Sequence, residues 1–216
     1  DPELRENTGE IDAAEDGSLP RLIQLENLRG VFHNHTTASD GQHAPGALLA
    51  MAHAAGVRTL AVTDHEAMYG SMEFARSAKE AGLRPITGLE LTVQEASGTR
   101  HHVTLLAETR EGYSHLCRLS SRAFGLHEEQ QDDREARRLD PVIPGERLVE
   151  HAGGLILLTG CRDGLVPKLV QEQPDRAEAI LHRWVAWFGQ QDVFVELQDN
   201  LVYGDQPRNR ALVDLA

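Results

Sequence analysis

The sequence has few of the features that mark secreted, membrane-bound or strongly basic proteins. Its 216 residues include only two cysteines, Cys117 and Cys161, which are too few for a disulfide framework and fit a reducing cytoplasm. No apolar run approaches the roughly 18 residues that a membrane helix needs. The acidic, polar start "DPELRENTGEIDAAEDGS" is unlike a signal peptide. We therefore expect a cytoplasmic protein with no membrane contact.

Positive charge is scarce as well. The chain carries 21 Lys and Arg against 34 Asp and Glu, for a net charge of −13. A protein that binds nucleic acid by neutralising phosphates is expected to be basic. Any binding of a polyanion would therefore need a local source of positive charge, which bound metal ions can supply.

The chain divides into a polar beginning and a patterned remainder. Residues 1–29 are predicted to be a linker or N-terminal arm, and residues 30–216 a single domain. From residue 30, about six short apolar segments alternate with amphipathic ones, which is typical of a parallel or mostly parallel α/β fold, either barrel-like or doubly wound. The strands are predicted in "GVFHNH" and over 59–65, 85–93, 102–107, 155–160 and 193–197. The main helices are predicted over 45–56, 71–82, 111–124 and 176–189, with a last one in "RNRALVDLA", and 125–141 as a solvated loop or frayed helix.

Two histidines follow the first apolar pair, in "VFHNHTTASDG". In a strand, residues two apart point to the same face, so His33 and His35 would converge in a geometry suited to one metal ion. A catalytic pair and two solvent-facing histidines are the alternatives. The pattern by itself is weak, and Asp40 in "SDG" also fits an ordinary turn.

Other metal-ligand types recur at or near strand ends, and together they make a stronger case. They are His65 after "TLAVTD", Glu90 in "ITGLEL", His102 at the start of "HVTLLA" with His101 beside it, and Cys161 after "LILLTG". In α/β folds, the carboxyl ends of strands are where sites are built. A mixed set of nitrogen, oxygen and sulfur ligands suits Zn²⁺, with Mn²⁺ or Fe²⁺ also possible. The sequence therefore predicts a metal cluster.

The order "HNH…SDG", "VTDH", "GLE", "HVTLLA", "TGC" resembles the PHP (polymerase and histidinol phosphatase) superfamily. From residue 30 onward, "LAVTDHEAMYGSMEFARSAKEAGLRPITGLEL" and "VFVELQDN" look like the PHP domain of bacterial family C DNA polymerases, the DNA polymerase III alpha subunit and its error-prone relative. The stretch "PELRENTGEIDAAEDGSLPRLIQLENLRGVFHNHTTASDG" is more similar to the segment that leads into the PHP domain of bacterial family X polymerases.

The resemblance implies a distorted (β/α)₇ barrel that holds two or three divalent ions of Zn, Mn or Fe. Carried over to this sequence, His33, His35 and Glu90 would hold the first ion and form the catalytic core. Glu90 would bridge to a second ion held with His102 and Cys161. Asp40 and His65 would hold the third. The "HVTLLA" register favours His102 over His101.

The chain departs from the family pattern in one respect. The family's last motif, an Asp-x-His pair on a further strand, does not occur downstream of residue 102. The resemblance therefore implies a PHP-type barrel without its last strand, incomplete at its C-terminal side. Arg162 and Lys168, which follow the "TGC" strand end, are candidates to meet a phosphate.

Three functions are compatible with these residues. The first is a metal-dependent phosphoesterase that acts by metal-activated water on a DNA 3′ end, as a 3′→5′ proofreading exonuclease, or on small phosphate monoesters as stand-alone relatives do. The second is a non-catalytic structural module that contacts other polymerase domains or subunits. The third is an amidohydrolase-type barrel, which ranks last because no lysine lies at a predicted strand end.

Overall fold

The computed structural model describes residues 9–19, 24–125, 140–200 and 202–216. The α-helices are Glu10–Asp16 (α1), Pro45–Ala54 (α2), Ser71–Glu80 (α3), Arg110–Ala123 (α4), Leu165–Leu169 (α5), Pro174–Phe188 (α6) and Asp205–Leu215 (α7). The strands are Gly30–Val31 (β1), Thr59–Val62 (β2), Arg84–Gln94 (β3), Arg100–Ala107 (β4), Ile143–Pro144 (β5), Leu155–Leu158 (β6) and Val193–Phe194 (β7). Short 3₁₀ helices cover Leu25–Asn27 and Gly145–His151.

The strands form one mixed sheet in the order β1-β2-β3-β4-β6-β7, with β5 added beside the end of β3. The pairs β1–β2, β2–β3, β3–β5 and β6–β7 are parallel. Strand β4 runs antiparallel to both of its neighbours. The predicted α/β fold is confirmed, and most of its strand pairs are parallel as expected.

The two long central strands separate a core face from a site face. Along β3, Leu89, Leu91 and Val93 are fully buried in the main hydrophobic core, while Glu90 between them points to the opposite face. Strand β4 repeats this pattern, and its register places Thr92 opposite His102. Because side chains alternate across a strand, the same two strands supply both the apolar core and the polar site.

Helices cover the core face, and their buried residues recur at helical spacing. In α6 the buried positions are Ala177, Ile180, Leu181, Trp184 and Phe188, which form one stripe against the sheet. Helix α4 packs on β3 and β4 in the same way, and its first turn is capped by Thr109, whose side-chain oxygen accepts a hydrogen bond from the backbone N–H of Gly112. Helices α2 and α3 pack with β2 in a smaller second core. Among the described residues, no helix combines the length and the apolar character that crossing a bilayer requires.

Several predicted strand boundaries are wrong, for reasons that lie in tertiary contacts. The first strand ends at Val31, so His33 and His35 lie in the loop that follows it. The last strand ends at Phe194 rather than at 197, because the backbone N–H of Glu196 donates to the side-chain oxygen of Thr159 instead of to a neighbouring strand. Strand β5 was not predicted, since two residues are too few to show a period. Within the expected mixed-charge loop, residues 126–139 lie outside the described residues.

A buried carboxylate organises the loop that carries the first two histidines. Asp64, two residues beyond the end of β2, is 3% exposed and accepts hydrogen bonds from the backbone N–H of Thr36 at 2.6 Å, the hydroxyl of Thr36 at 2.8 Å and the hydroxyl of Ser39 at 2.7 Å. The loop then turns tightly enough that a Cβ on Gly41 would lie 2.1 Å from the carbonyl oxygen of His35. Asp64 therefore ties the segment 33–41 to the end of β2.

Replacing Asp64 with Asn tests this arrangement. An amide offers one acceptor oxygen where three donors converge, so at least one buried donor loses its partner, and we expect the free energy of unfolding to fall by about 1–3 kcal/mol. Asp12→Asn, which changes an exposed carboxylate in α1, is the matched control. Denaturant unfolding of both variants measures the difference. Equal stability of the two would show that Asp64 does not hold the loop.

Candidate metal centre

An open pocket lies at the end of the sheet where the parallel strands have their carboxyl ends, on the face opposite the main core. Its volume is about 430 Å³, and its lining contains four histidines, three acidic side chains, a cysteine and a glutamine. These residues are His33, His35, Asp40, His65, Glu90, His102, Cys161, Asp163 and Gln198. All seven residues that the sequence suggested as ligands therefore line one cavity.

The topology explains how residues so distant in sequence meet. His65 and Cys161 follow the carboxyl ends of β2 and β6, and Glu90 lies within the carboxyl half of β3. His102 lies near the start of β4 rather than at its end. Because β4 is antiparallel to its neighbours, its start lies at the same end of the sheet as the carboxyl ends of the parallel strands.

The carboxylate of Glu90 is the centre of the site. It is 1% exposed, and its two oxygens face different partners. Oε2 lies 2.7 Å from Nε2 of both His33 and His35, and 3.9 Å from Nε2 of His65. Oε1 lies 3.0 Å from Nδ1 of His102 and 3.9 Å from the Sγ of Cys161. Such a carboxylate can bridge two cations, one at each oxygen.

Asp40 provides a second, more exposed carboxylate on the outer side of the cluster. Its Oδ1 lies 2.7 Å from Nδ1 of His35, and its Oδ2 lies 3.4 Å from Nε2 of His65. The imidazole rings of His33, His35, His65 and His102 follow one another with centroid separations of 5.2, 4.6 and 4.9 Å. The four rings thus form a continuous row between Glu90 and solvent.

The pKa values reflect this mutual crowding. Burial acts to raise the pKa of Glu90, but the nearby ring of His102, the hydrogen bond with His33 and the nearby ring of His35 hold that pKa well below its usual range. Burial acts to lower the pKa of His33, and its hydrogen bonds to Glu196 and Glu90 outweigh this and raise the pKa to about 10. Contacts with Cys161 and Glu90 raise the pKa of His102 to about 10.

His65 behaves in the opposite way. Burial is the largest cause that lowers the pKa of His65, and the neighbouring His35 and His102 lower it further, against the pull of Glu90 and Asp40. Four adjacent imidazoles repel one another when protonated, so the row does not accept a full set of protons. A metal ion placed among the unprotonated nitrogens would satisfy both carboxylates without that repulsion.

The donor set fits divalent metal ions. Three groups of side chains have ligand atoms within 4.8 Å of one another: His33, His35 and Glu90; His35, Asp40 and His65; and His65, Glu90 and His102. In addition, Nε2 of His35 is buried without a hydrogen-bond partner, since its 2.7 Å approach to Glu90 lacks hydrogen-bond geometry. A buried nitrogen with a free lone pair beside a carboxylate is the arrangement that a metal ligand requires.

Three of the predicted residues, Cys161, Arg162 and Lys168, lie outside the three groups of close ligand atoms. Cys161 lines the pocket but belongs to none of those three groups, and its sulfur accepts a hydrogen bond from the backbone N–H of Asp163 at 3.4 Å. Arg162 is exposed and is not among the lining residues. The ammonium of Lys168 lies 3.5 Å from the carboxylate of Asp163, which does line the pocket. The roles of Arg162 and Lys168 toward phosphate stay predictions.

His101 and His102 point to opposite faces. His101 is 2% exposed, lies 3.1 Å from a carboxylate oxygen of Glu95 and stacks near Trp184, on the core side of β4. Glu95 is also held by both of its oxygens to the guanidinium of Arg183. This network connects the sheet to α6 and is separate from the pocket.

Sequence reasoning missed two carboxylates beside the cluster. Oε1 of Glu196, just beyond β7, lies 2.7 Å from Nδ1 of His33. Glu66 follows His65 in the left-handed conformation (φ 59°), accepts hydrogen bonds from the backbone and side chain of Thr92, and has its pKa raised to about 7 by burial. The available signal was the position of Glu196 near the end of the predicted strand 193–197, the same kind of position that identified the other site residues.

Comparisons with known proteins agree with this geometry. A profile of the PHP domain matches residues 32–200. The chain is 38% identical over 195 residues to an error-prone DNA polymerase of Symbiobacterium thermophilum, covering 85% of this chain and 17% of that protein. It is 35% identical over 171 residues to the DNA polymerase III subunit alpha of Thermus aquaticus, covering 73% of this chain and 13% of that protein.

One solved structure shares the fold over most of its length. A protein from Bifidobacterium adolescentis, assigned by inference as a metal-dependent phosphoesterase, superposes with a TM-score of 0.57 at 16% identity. The match covers 88% of this chain and 83% of that one. With a profile match from residue 32 to residue 200 and a histidine-rich pocket at the strand ends, the chain belongs to the PHP domain family.

Proposed function

We propose that the chain is the metal-dependent phosphoesterase domain of a bacterial DNA polymerase and that it hydrolyses phosphoesters at a DNA 3′ end. The observation that carries this proposal is the convergence of three histidines on the two oxygens of one buried carboxylate, Glu90. The two polymerases at 38% and 35% identity support DNA as the substrate. On this basis the activity is of the 3′→5′ exonuclease type.

The ligands divide around Glu90. His33, His35 and Glu90 would hold one ion, Glu90, His102 and Cys161 a second, and Asp40 with His65 a third, with Zn, Mn or Fe as the candidate metals. When bound, such ions lower the pKa of coordinated water toward neutrality and offset the negative charge of a phosphoryl group. His35 would serve the first ion through Nε2, because a neutral imidazole has one free lone pair, and its Nδ1 lies 2.7 Å from the carboxylate of Asp40, to which it can donate a hydrogen bond.

The charge of the pocket makes the ions necessary for substrate binding. The lining residues include neither lysine nor arginine, and the chain carries a net charge of −13. A phosphodiester would therefore be repelled by Glu90, Asp40 and Asp163 unless cations lie between them. The volume of about 430 Å³ lies in the roughly 300–1,000 Å³ range of small-ligand sites, which suits a terminal nucleotide.

Two other functions would use the same pocket. The absence of basic residues from the lining favours a non-catalytic module, in which metal stabilises a domain that contacts other polymerase domains or subunits. The openness of the pocket to solvent also suits small phosphate monoesters, as in a stand-alone phosphatase. The experiment below separates these functions.

Metal removal and a ligand variant test the enzymatic proposal. We expect the purified chain to bind two or more equivalents of Zn²⁺ or Mn²⁺, to shorten a 5′-labelled single-stranded DNA from its 3′ end, and to lose this activity in a chelator. His33→Ala should abolish turnover, because it removes one nitrogen that faces Glu90. His53→Ala, at an exposed histidine of α2, is the control and should leave the rate unchanged.

The outcomes of this experiment separate the alternatives. Equal activity of metal-free and metal-loaded protein would contradict the enzymatic proposal. Stoichiometric metal without cleavage of DNA or of p-nitrophenyl phosphate would favour the non-catalytic module. Cleavage of p-nitrophenyl phosphate but not of DNA would favour the phosphatase.

Cys161→Ser tests whether the thiol is a metal ligand. A thiolate prefers Zn²⁺ over harder ions, so we expect the affinity for Zn²⁺ to fall on the order of tenfold or more while the affinity for Mn²⁺ changes less. Chelator competition with each ion measures the two dissociation constants. Cys117→Ser, in α4, is the control. If Cys161→Ser bound Zn²⁺ as tightly as Cys117→Ser, Cys161 would not be a ligand.

A further inference from the structure

We propose that Glu196 is a positioning residue of the metal centre, which holds the ring of His33 so that Nε2 faces the metal ions. The inference deepens the proposed function and rests on it, because it assigns a role toward the same site. Glu196 does not line the pocket. Of the candidate metal ligands described above, His33 is the one that is hydrogen-bonded to it.

The contacts of His33 divide between two carboxylates. Its Nε2 lies 2.7 Å from Oε2 of Glu90, inside the cluster, and its Nδ1 lies 2.7 Å from Oε1 of Glu196, outside it. A neutral imidazole carries one N–H and one free lone pair. Donation of the Nδ1 proton to Glu196 leaves the lone pair on Nε2, directed at the position shared with His35 and Glu90. Metal-ligating histidines commonly donate their other N–H to such a carboxylate.

Glu196 is itself held by two further hydrogen bonds, and a third holds the residue that makes one of them. Its backbone N–H donates to the hydroxyl oxygen of Thr159 at 2.9 Å, and Thr159 is fully buried. The side-chain amide of Gln198 donates to Oε1 of Glu196 at 2.8 Å. Asn209, in α7, donates in turn to the backbone carbonyl of Gln198 at 3.0 Å. The carboxylate thus has a fixed orientation before any metal binds.

The burial of this carboxylate argues for a specific role. The side chain of Glu196 is 14% exposed, and its second oxygen, Oε2, is buried with no hydrogen-bond partner. A buried charge is costly unless it is paired, and His33 is the cationic or N–H-donating ring available to it. If the only role of this position were to pack the end of β7, an apolar side chain would fill it without the cost of burying a carboxylate.

The same contact joins the two edges of the sheet. His33 follows β1 at one edge, and Glu196 follows β7 at the other. A double-mutant cycle in Zn²⁺ affinity shows whether Glu196 acts through His33, and the free energy of unfolding of the metal-free Glu196→Ala variant shows whether the contact also holds the two edges together.

The test uses Zn²⁺ as the probe and Glu196→Ala and Glu196→Gln as the variants, in the full 216-residue chain. Dissociation constants are measured by chelator competition, and the imidazole nitrogens of His33 are followed by ¹⁵N NMR in the Zn²⁺-loaded protein. Glu178→Gln, at an exposed position of α6, is the matched control. Each variant is also introduced into a His33→Ala background.

We expect Glu196→Ala to weaken Zn²⁺ binding about 10–100-fold. In this variant the Nδ1–H of His33 loses its acceptor, so its ¹H and ¹⁵N signals should shift and the proton should exchange faster with water. Glu196→Gln should recover most of the affinity, because its amide oxygen still accepts from Nδ1. In the His33→Ala background, Glu196→Ala should have no further effect on the remaining Zn²⁺ affinity.

Each contrary result has one meaning. If Glu196→Ala binds Zn²⁺ as tightly as the control, or weakens binding equally with and without His33, the positioning role is overturned while the proposed function stands. Tight Zn²⁺ binding with no hydrolysis overturns the proposed activity but leaves the role of Glu196 supported by the affinity data. An unaltered chain that binds no Zn²⁺ overturns both.

Discussion

The site depends on one buried negative charge. Glu90 lies on a central strand of the sheet and is 1% exposed, so its carboxylate has little contact with solvent. A carboxylate in that position costs several kcal/mol unless opposite charge or N–H donors surround it. The chain supplies histidines to both oxygens rather than lysine or arginine. Imidazoles can give up their protons to admit a metal ion, whereas guanidinium groups cannot, so this choice of partners leaves the carboxylate available as a bridge.

The remaining parts of the site position groups around that charge. Asp64 ties the loop 33–41 to the end of β2, and the reversed direction of β4 brings His102 to the edge where the parallel strands end. The curvature of the sheet brings β1 and β7 close enough for His33 to contact Glu196. These three features use hydrogen bonds and strand direction to place imidazoles that no single element could assemble.

The core and the site share strands but not faces. Along β4, His101 pairs with Glu95 beside Trp184, while His102 faces the pocket. The network of His101, Glu95 and Arg183 fixes the back of the sheet to α6. A rigid support of this kind holds the side chains of the pocket, the candidate metal ligands, in place on the other face of the sheet. The PHP profile spans residues 32–200, and the fold shared with the Bifidobacterium adolescentis protein covers 88% of this chain, so both matches include the core strands as well as the pocket.

Much of this could be predicted from the sequence, because the relevant information is local. Apolar periodicity located the central strands and the main helices, and polar residues at the ends of apolar runs identified seven side chains that line one pocket. The choice of His102 over His101 required only the period of two along a strand. The sequence by itself therefore determined the fold class and which residue types would meet at the sheet edge.

Only the tertiary structure decided how they meet. The direction of β4, the two-residue strand β5 and the early ends of β1 and β7 depend on partners far away in sequence, such as Thr159 for Glu196 and Asp64 for Thr36. Local sequence patterns cannot predict these partners, because hydrogen bonds between distant segments form only when the sheet has curled. The same folding of distant segments places His33 and His35 at one oxygen of Glu90 and His102 at the other. It also brings Glu196 into contact with His33.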